Sequence, residues 1–127
     1  MTDVILDSSA VLAFMLNEPG SEAVRVAIVN AGICAVNYAE VASKIVDGGG
    51  DPAELRQMLS EANCDVIEAD IDLATNAGLL RASTRHRGLS LGDRFCLALA
   101  QELSLPVLTA DQAWRDLDLG VEITLIR

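Results

Sequence analysis

The stretch VILD, residues 4–7, is an unbroken apolar run that leads directly into the carboxylate of Asp7. Ser8 and Ser9 follow, and the apolar segment AVLAFML after them is typical of a helix. A short apolar strand joined to such a helix indicates a buried strand of a parallel sheet. In open parallel sheets, ligands bind beyond the carboxyl ends of the strands, so Asp7 is the first candidate for a functional residue.

Strands and helices alternate along the rest of the chain. Further strands are predicted at 33–36, 64–69, 106–108 and 121–126, with helices at about 8–17, 21–31, 37–47, 52–62, 70–86 and 91–103 and a short helix after Asp111. This alternation predicts a three-layer α/β/α sandwich around a central parallel five-stranded sheet. The 127 residues, 51% of them hydrophobic, suffice for one domain, and no linker or repeat divides residues 1–127.

Charge and aromatic content restrict the partners of the protein. A net charge of −10 argues against a protein that binds nucleic acid by electrostatics alone, since Lys and Arg neutralise phosphates. One Trp, one Tyr and two Phe are too few for a base-stacking surface. If the substrate is a nucleic acid, divalent cations and a local basic patch must offset the acidic charge.

The sequence predicts a cytoplasmic protein that does not associate with a membrane. The start MTDVILD lacks the basic residues and the apolar run of a signal peptide, and no segment has the length of a membrane helix. Three scattered cysteines with apolar neighbours indicate reduced core thiols: Cys34, Cys64 and Cys96.

Four carboxylates, which we call the acidic tetrad, are expected to meet at the carboxyl edge of the sheet: Asp7, Glu40, Asp93 and Asp111. Each also has a structural explanation. Asn37-x-x-Glu40 and Ser90-x-x-Asp93 match capping boxes, Asp111 can cap a helix, and Asp7 can stabilise the first helix through its dipole. Four carboxylates together would repel one another and raise their own pKa values unless hard cations such as Mg²⁺ or Mn²⁺ bound their oxygens. The absence of His and Cys from these positions disfavours zinc.

The segments VILDSSAVLAFML, NYAEVASKI, GLSLGDRFCLALA and LTADQAW, in this order and spacing, resemble a PIN-domain ribonuclease. More narrowly, they resemble the VapC-type toxins of bacterial type II toxin–antitoxin pairs, and the similarity spans the whole chain. The resemblance implies a PIN-like fold with VILD at the centre of the sheet. It also implies a Mg²⁺- or Mn²⁺-dependent endoribonuclease that hydrolyses RNA phosphodiesters with a metal-activated water.

The resemblance assigns roles to individual residues. The acidic tetrad would hold the metal, with Asp7 and Asp93 as the first choices for direct ligands. Thr109 matches a hydroxyl position found beside that tetrad, and Ser8 matches the small polar position after the first Asp.

The resemblance also implies two protein partners. One is a second copy of the chain in a homodimer. The other is a cognate antitoxin whose flexible C-terminal segment lays an amphipathic helix into an apolar groove. The first helix carries no charged residue over Ala10–Leu16, so Phe14 and Met15 are candidates for that groove as well as for the core.

Basic residues cluster just before and within the turn that carries Asp93. Arg85, Arg87 and Arg94 are candidates for RNA-phosphate contacts, with a solvated helix end as the equal alternative. His86 is the only histidine, but metal-dependent hydrolysis needs no general base, so the structural interpretation is favoured.

Two other functions fit parts of this pattern. A receiver-like phosphoacceptor domain also places Asp residues around Mg²⁺, but Asp7 lacks an acidic neighbour and the only lysine, Lys44, lies within a predicted helix. The second is a non-catalytic acidic binding module whose carboxylates are helix caps. Such a module would bind no metal, so Mn²⁺ calorimetry distinguishes it from a nuclease.

Overall fold

The computed structural model describes all 127 residues, and its elements follow the predicted alternation. The strands are β1 (Val4–Leu6), β2 (Ala31–Cys34), β3 (Asp65–Ile67), β4 (Val107–Thr109) and β5 (Ile123–Leu125). The α-helices are α1 (Ser8–Met15), α2 (Ser21–Ala27), α3 (Ala35–Asp47), α4 (Ala53–Glu61), α5 (Ile71–Leu79), α6 (Arg81–Thr84) and α7 (Leu91–Leu103). Short 3-10 helices span Ile28–Asn30, Arg85–Arg87 and Gln112–Trp114.

The strand β1 lies at the centre of the sheet. The strand order is β3-β2-β1-β4-β5, and every neighbouring pair is parallel. Ile5 and Leu6 are fully buried because helices cover both faces, which explains the apolar composition of VILD. The predicted α/β sandwich with a central parallel five-stranded sheet is confirmed.

Two hydrophobic cores separate the sheet from its helical layers. One contains Ile5, Val107 and Trp114 with side chains of α5 and α7. The other contains Leu6 and Ile33 with side chains of α1, α2, α3 and α4. Successive residues of β1 therefore face opposite cores, as the alternation of side chains along a strand requires.

Cys34, Cys64 and Cys96 are buried free thiols, as the sequence predicts. None of the helices combines the length and the apolar character needed to cross a membrane.

The strand β2 begins earlier than the sequence predicts. Gly32, which lies between the helix predicted at about 21–31 and the strand predicted at 33–36, is inside β2 and pairs with Ile5. A Cβ atom on Gly32 would lie 2.8 Å from Cδ1 of Ile67 on the neighbouring strand, so glycine allows the close approach. The predicted strand 33–36 is therefore wrong at both ends. Because α3 already begins at Ala35, the expected capping box at Asn37 is also wrong, and Asn37 lies within the helix.

The long helix predicted over 70–86 is divided into α5, α6 and a 3-10 turn. Asp70 caps α5 by accepting a hydrogen bond from Leu73 N at 2.8 Å. The hydroxyls of Ser83 and Thr84 both donate to the carbonyl of Leu80, and such bonds compete with regular helix geometry. Gly88 ends the segment with a φ of +65°, as expected for a glycine stop.

Candidate active site

Asp7 follows β1 and is only 2% exposed. Its Oδ2 accepts hydrogen bonds from the hydroxyls of Ser9 at 2.5 Å and Thr109 at 2.9 Å. Each hydroxyl in turn accepts a backbone N–H, Ser9 from Ala110 at 2.9 Å and Thr109 from Asp111 at 3.0 Å. Because a carboxylate oxygen can only accept, both hydroxyls donate to Asp7 while each accepts a backbone N–H.

The second oxygen of Asp7 is nearly free of protein donors. Its Oδ1 accepts only from the Ser8 hydroxyl, at a long 3.5 Å. Burial raises the pKa of Asp7 to about 6, and the negative charge of Asp93 acts in the same direction, whereas the bonds from Ser9 and Thr109 lower the pKa. The bonds to Oδ2 therefore fix the orientation of the Asp7 carboxylate, while the negative charge on Oδ1 has almost no hydrogen-bond donor nearby.

Glu40 approaches the site from α3. Its Oε1 accepts hydrogen bonds from the Ser8 hydroxyl at 3.0 Å and from Asn37 Nδ2 at 2.8 Å, while its Oε2 accepts none. The carboxylate lies against Gly92 in the first turn of α7, where a Cβ atom would come within 2.3 Å of Oε2.

Asp93 and Asp111 each open a helix at the same edge. Asp93 forms the predicted capping box with Ser90: Ser90 N donates to Asp93 Oδ2 at 2.9 Å, and Asp93 N donates to Ser90 Oγ at 3.1 Å. Asp111 Oδ1 caps the last 3-10 helix by accepting from Ala113 N at 2.9 Å. Burial raises the pKa of Asp93, and the charges of Asp111 and Glu40 raise it further.

The same arrangement recurs in all four carboxylates of the acidic tetrad. In each, protein donors hold one oxygen, and the other has no donor or, in Asp7, a single long contact. Three of the four do cap helices, as the structural explanation predicts. A cap uses one oxygen only, so capping and ligand binding do not exclude each other.

The acidic tetrad has no cationic side chain as a partner. The two ion pairs of the chain, Arg25 with Glu22 and Arg127 with Glu18, lie elsewhere. As the side chains stand, no three acidic, His or Cys groups are close enough to hold a metal ion. A set of oxygen ligands with unengaged lone pairs and no counter-charge fits Mg²⁺ or Mn²⁺.

The three arginines proposed for RNA differ in their surroundings. Arg85 is exposed and free of hydrogen bonds to the protein, and His86 beside it is also exposed. Arg87 donates to the carbonyls of Ala113, at 3.2 Å, and Arg115. Arg94 Nη1 donates to the carbonyl of Ala77 at 3.1 Å, so this side chain lies against α5. Arg85 therefore has the guanidinium most available to a phosphate.

An apolar groove lies between α1, α3 and the start of α4, with a volume of about 390 Å³. Met15, Leu12 and Leu16 line it from α1, and Leu16 is 64% exposed. Phe14 is half-buried and packs against the core instead of lining the groove. The side chain of Leu16, which the sequence analysis did not single out, is the most accessible of the three.

Three residues of the site were missed from the sequence: Ser9, Asn37 and Gly92. Ser9 had a signal, because a second hydroxyl follows Asp7 in the triplet Asp-Ser-Ser. Asn37 precedes Glu40 by three residues, which places both on one face of a helix, and capping was the wrong interpretation of that spacing. Gly92 stands in the first turn of an otherwise strongly apolar helix, where glycine is unfavourable without a packing reason.

Comparison with known proteins identifies the family. Residues 4–119 match the PIN domain family. Ribonuclease VapC of Mycolicibacterium smegmatis (strain ATCC 700084 / mc(2)155) is 31% identical over 126 residues, an alignment that covers 92% of this chain and 98% of that protein.

Solved structures share the fold at lower identity. A toxin–antitoxin complex from Klebsiella pneumoniae contains a chain with a TM-score of 0.77 and 18% identity, with 98% of both chains covered. DNA-bound VapBC from Salmonella typhimurium gives a TM-score of 0.71 at 16% identity, with both chains fully covered. These structures support the fold, and the family match together with the curated relative shows that the chain belongs to the PIN domain family, within it to the VapC ribonucleases.

Proposed function

We propose that the protein is a metal-dependent endoribonuclease of the cytoplasm that acts as the toxin of a toxin–antitoxin pair. One observation carries the proposal: on a PIN fold, each carboxylate of the acidic tetrad keeps one oxygen available at the same edge of the sheet. The receiver-like alternative does not agree with the family. The binding-module alternative is weakened because helix capping uses only one oxygen of a carboxylate.

The residues present fit a bound Mg²⁺ or Mn²⁺. Asp7 and Asp93 are the proposed direct ligands, and Glu40 and Asp111 complete the site directly or through water. When bound, such an ion would offset part of the negative charge of the acidic tetrad and supply an activated water for phosphodiester hydrolysis. The protein's own contribution is orientation, since Ser9 and Thr109 fix Asp7 and the capping box fixes Asp93.

The proposed substrate is RNA, as the name of the curated relative states for that protein. The net charge of −10 opposes RNA binding, so the bound cation and nearby arginines must attract the phosphates. Arg85 is the most accessible of these. Arg87 and Arg94 are bonded to backbone carbonyls, so they are less free to contact RNA directly. Their positive charge would still attract the RNA phosphates.

The proposed protein partner is an antitoxin, because the structural neighbours include complexes of toxins with antitoxins. The groove lined by Leu12, Met15 and Leu16 offers an apolar surface to one face of an amphipathic helix. An arginine from that partner would meet carboxylates that lack any cationic neighbour, and it would compete there with the metal.

A homodimer is proposed because large apolar side chains are exposed on α5 and at the start of α7, away from the groove. Ile71 and Leu79 of α5 are 78% and 70% exposed, and Leu91 at the start of α7 is 54% exposed. Exposed large apolar side chains on adjacent helices are typical of an interface. Pairing would also bring the arginines of two copies together and offset the acidic charge locally.

Cleavage of RNA with and without metal tests the proposed function. The parent protein is expected to cleave in Mn²⁺ or Mg²⁺ and to be inactive in EDTA. Asp93→Asn keeps the side-chain volume and removes a ligating charge, so cleavage should fall by more than about 100-fold. Asp118→Asn removes an exposed carboxylate from the net charge and serves as the control. Undiminished cleavage in EDTA, or by Asp93→Asn, would show that the tetrad assignment is wrong.

A further inference from the structure

Glu40 is held in place by a side chain whose role the sequence did not disclose. Asn37, one turn earlier on α3, is fully buried. Its Nδ2 donates to Glu40 Oε1 at 2.8 Å and to the backbone carbonyl of Gly92 at 2.9 Å. One amide therefore orients the carboxylate of Glu40 and ties α3 to the first turn of α7.

Gly92 provides the space in which that carboxylate lies. A Cβ atom built on Gly92 would be 2.3 Å from Oε2, 2.4 Å from Cδ and 2.5 Å from Oε1 of Glu40. Its nearest contacts are all atoms of this one side chain, which can rotate away. A Cβ atom at position 92 would therefore displace the Glu40 carboxylate.

Only one half of the buried Asn37 amide has hydrogen-bond partners. Its Oδ1 is buried and has no hydrogen-bond partner. A buried polar atom without a partner is unfavourable, and an apolar residue at this helical position would avoid the loss. Unsatisfied buried polar atoms of this kind concentrate at functional sites. The functional part of the Asn37 amide is then its Nδ2, which bonds Glu40 and Gly92.

The distribution of bonds on Glu40 shows what the amide achieves. Asn37 and Ser8 both donate to Oε1, which leaves Oε2 without any protein donor. Asp7 shows the same division, with Ser9 and Thr109 on Oδ2. Hydrogen-bonded supports of this kind fix the orientation of metal-binding carboxylates.

We propose that Asn37 and Gly92 are positioning residues that set the Glu40 carboxylate for cation binding. The inference rests on the proposed metal-dependent function. Neither residue touches RNA in this account, since both are buried. Their effect is on the affinity of the site for the cation.

The test compares Asn37→Ala and Gly92→Ala with the parent and with Thr84→Val. Thr84 is a matched control because it is also fully buried and its hydroxyl bonds only the carbonyl of Leu80. Mn²⁺ binding is measured by calorimetry on the full chain, urea unfolding is measured in EDTA, and RNA cleavage is measured over a series of Mn²⁺ concentrations.

Both alanine variants are expected to bind Mn²⁺ about 10- to 100-fold more weakly than the parent. In EDTA, the unfolding midpoint of Asn37→Ala should fall, because two buried hydrogen bonds are lost. The midpoint of Gly92→Ala should stay close to that of the parent, because the gain in helix propensity offsets the contact with Glu40. Cleavage should recover at high Mn²⁺, and KM for RNA should stay unchanged. Thr84→Val should bind Mn²⁺ as the parent does.

Parental Mn²⁺ affinity in Asn37→Ala and Gly92→Ala would overturn the inference. A loss of affinity that only parallels a loss of folded protein would overturn it as well. If Asn37→Ala does not fold, Gly92→Ala decides alone, since the three atoms nearest to its added methyl group all belong to the movable side chain of Glu40. A parent protein that binds no Mn²⁺ would instead refute the proposed function, a result separate from the other two.

Discussion

Asp7→Asn is expected to make the cation-free protein more stable at neutral pH. The asparagine Oδ1 can take the place of Asp7 Oδ2 and accept the same hydroxyls from Ser9 and Thr109, so the hydrogen bonds are kept. What disappears is the buried negative charge. Asp7 is only 2% exposed, and burial is the main reason that its pKa is raised from the ordinary value of 3.8 to about 6.

The size and sign of the effect follow from this difference in pKa. An acid with a higher pKa in the folded than in the unfolded chain binds its proton more tightly when folded, so ionisation destabilises the fold. The stabilisation that the protonated Asp7 carboxyl gives to the folded state is fully present below pH 4. It is lost as the pH rises through about 6. At about 1.36 kcal/mol per pH unit, the loss for Asp7 is about 3 kcal/mol.

Urea unfolding of parent and Asp7→Asn in EDTA, from pH 4 to pH 8, measures this quantity. The difference in the free energy of unfolding should be small at pH 4 and should grow to about 3 kcal/mol in favour of Asp7→Asn above pH 7. Asp118→Asn corrects for the change in net charge, because it removes an exposed carboxylate. A difference that does not change with pH, or an asparagine variant that is less stable throughout, would refute the reasoning.

Three further predictions follow from the site and its surroundings. Thr109→Val removes a donor to Asp7 and the acceptor of Asp111 N–H, so unfolding in EDTA should become easier by about 1–3 kcal/mol and cleavage should slow about 10- to 100-fold. Leu16→Asp places a charge in the apolar groove at an exposed position, so binding of the antitoxin, measured by calorimetry, should weaken while RNA cleavage persists; an unchanged affinity would place the partner elsewhere. Leu79→Asp should convert a dimer into a monomer in light scattering at micromolar concentration, and a parent that is already monomeric would contradict the proposed dimer.

The central features of the fold were predictable because their signals are local. The apolar run before Asp7 required burial on both faces, and a strand with this property lies inside a parallel sheet. Gly88, Asp70 and the pair Ser90–Asp93 behave as their turn and capping preferences indicate. Each of these predictions depends on a few neighbouring residues.

The features that the sequence did not disclose depend on contacts between distant segments. Gly32 looked like a helix stop, but its position in β2 is set by the pairing with Ile5 and the nearness of Ile67. Asn37 looked like a helix cap, and only the packing of α3 on α7 shows that it bonds Gly92, 55 positions away. The tetrad was predicted from strand ends, whereas the choice of which oxygen stays free depends on donors from four separate segments.

The most direct test of the central claim is the position of manganese in a crystal. Crystals grown or soaked with Mn²⁺ should show an anomalous scattering peak at the carboxyl edge of the sheet, contacted by Asp7 and Asp93 and close to Glu40 and Asp111. Such a peak would show that the oxygens without protein donors are metal ligands. Crystals in which active protein carries no manganese at the tetrad, or carries it only at another place, would contradict the account.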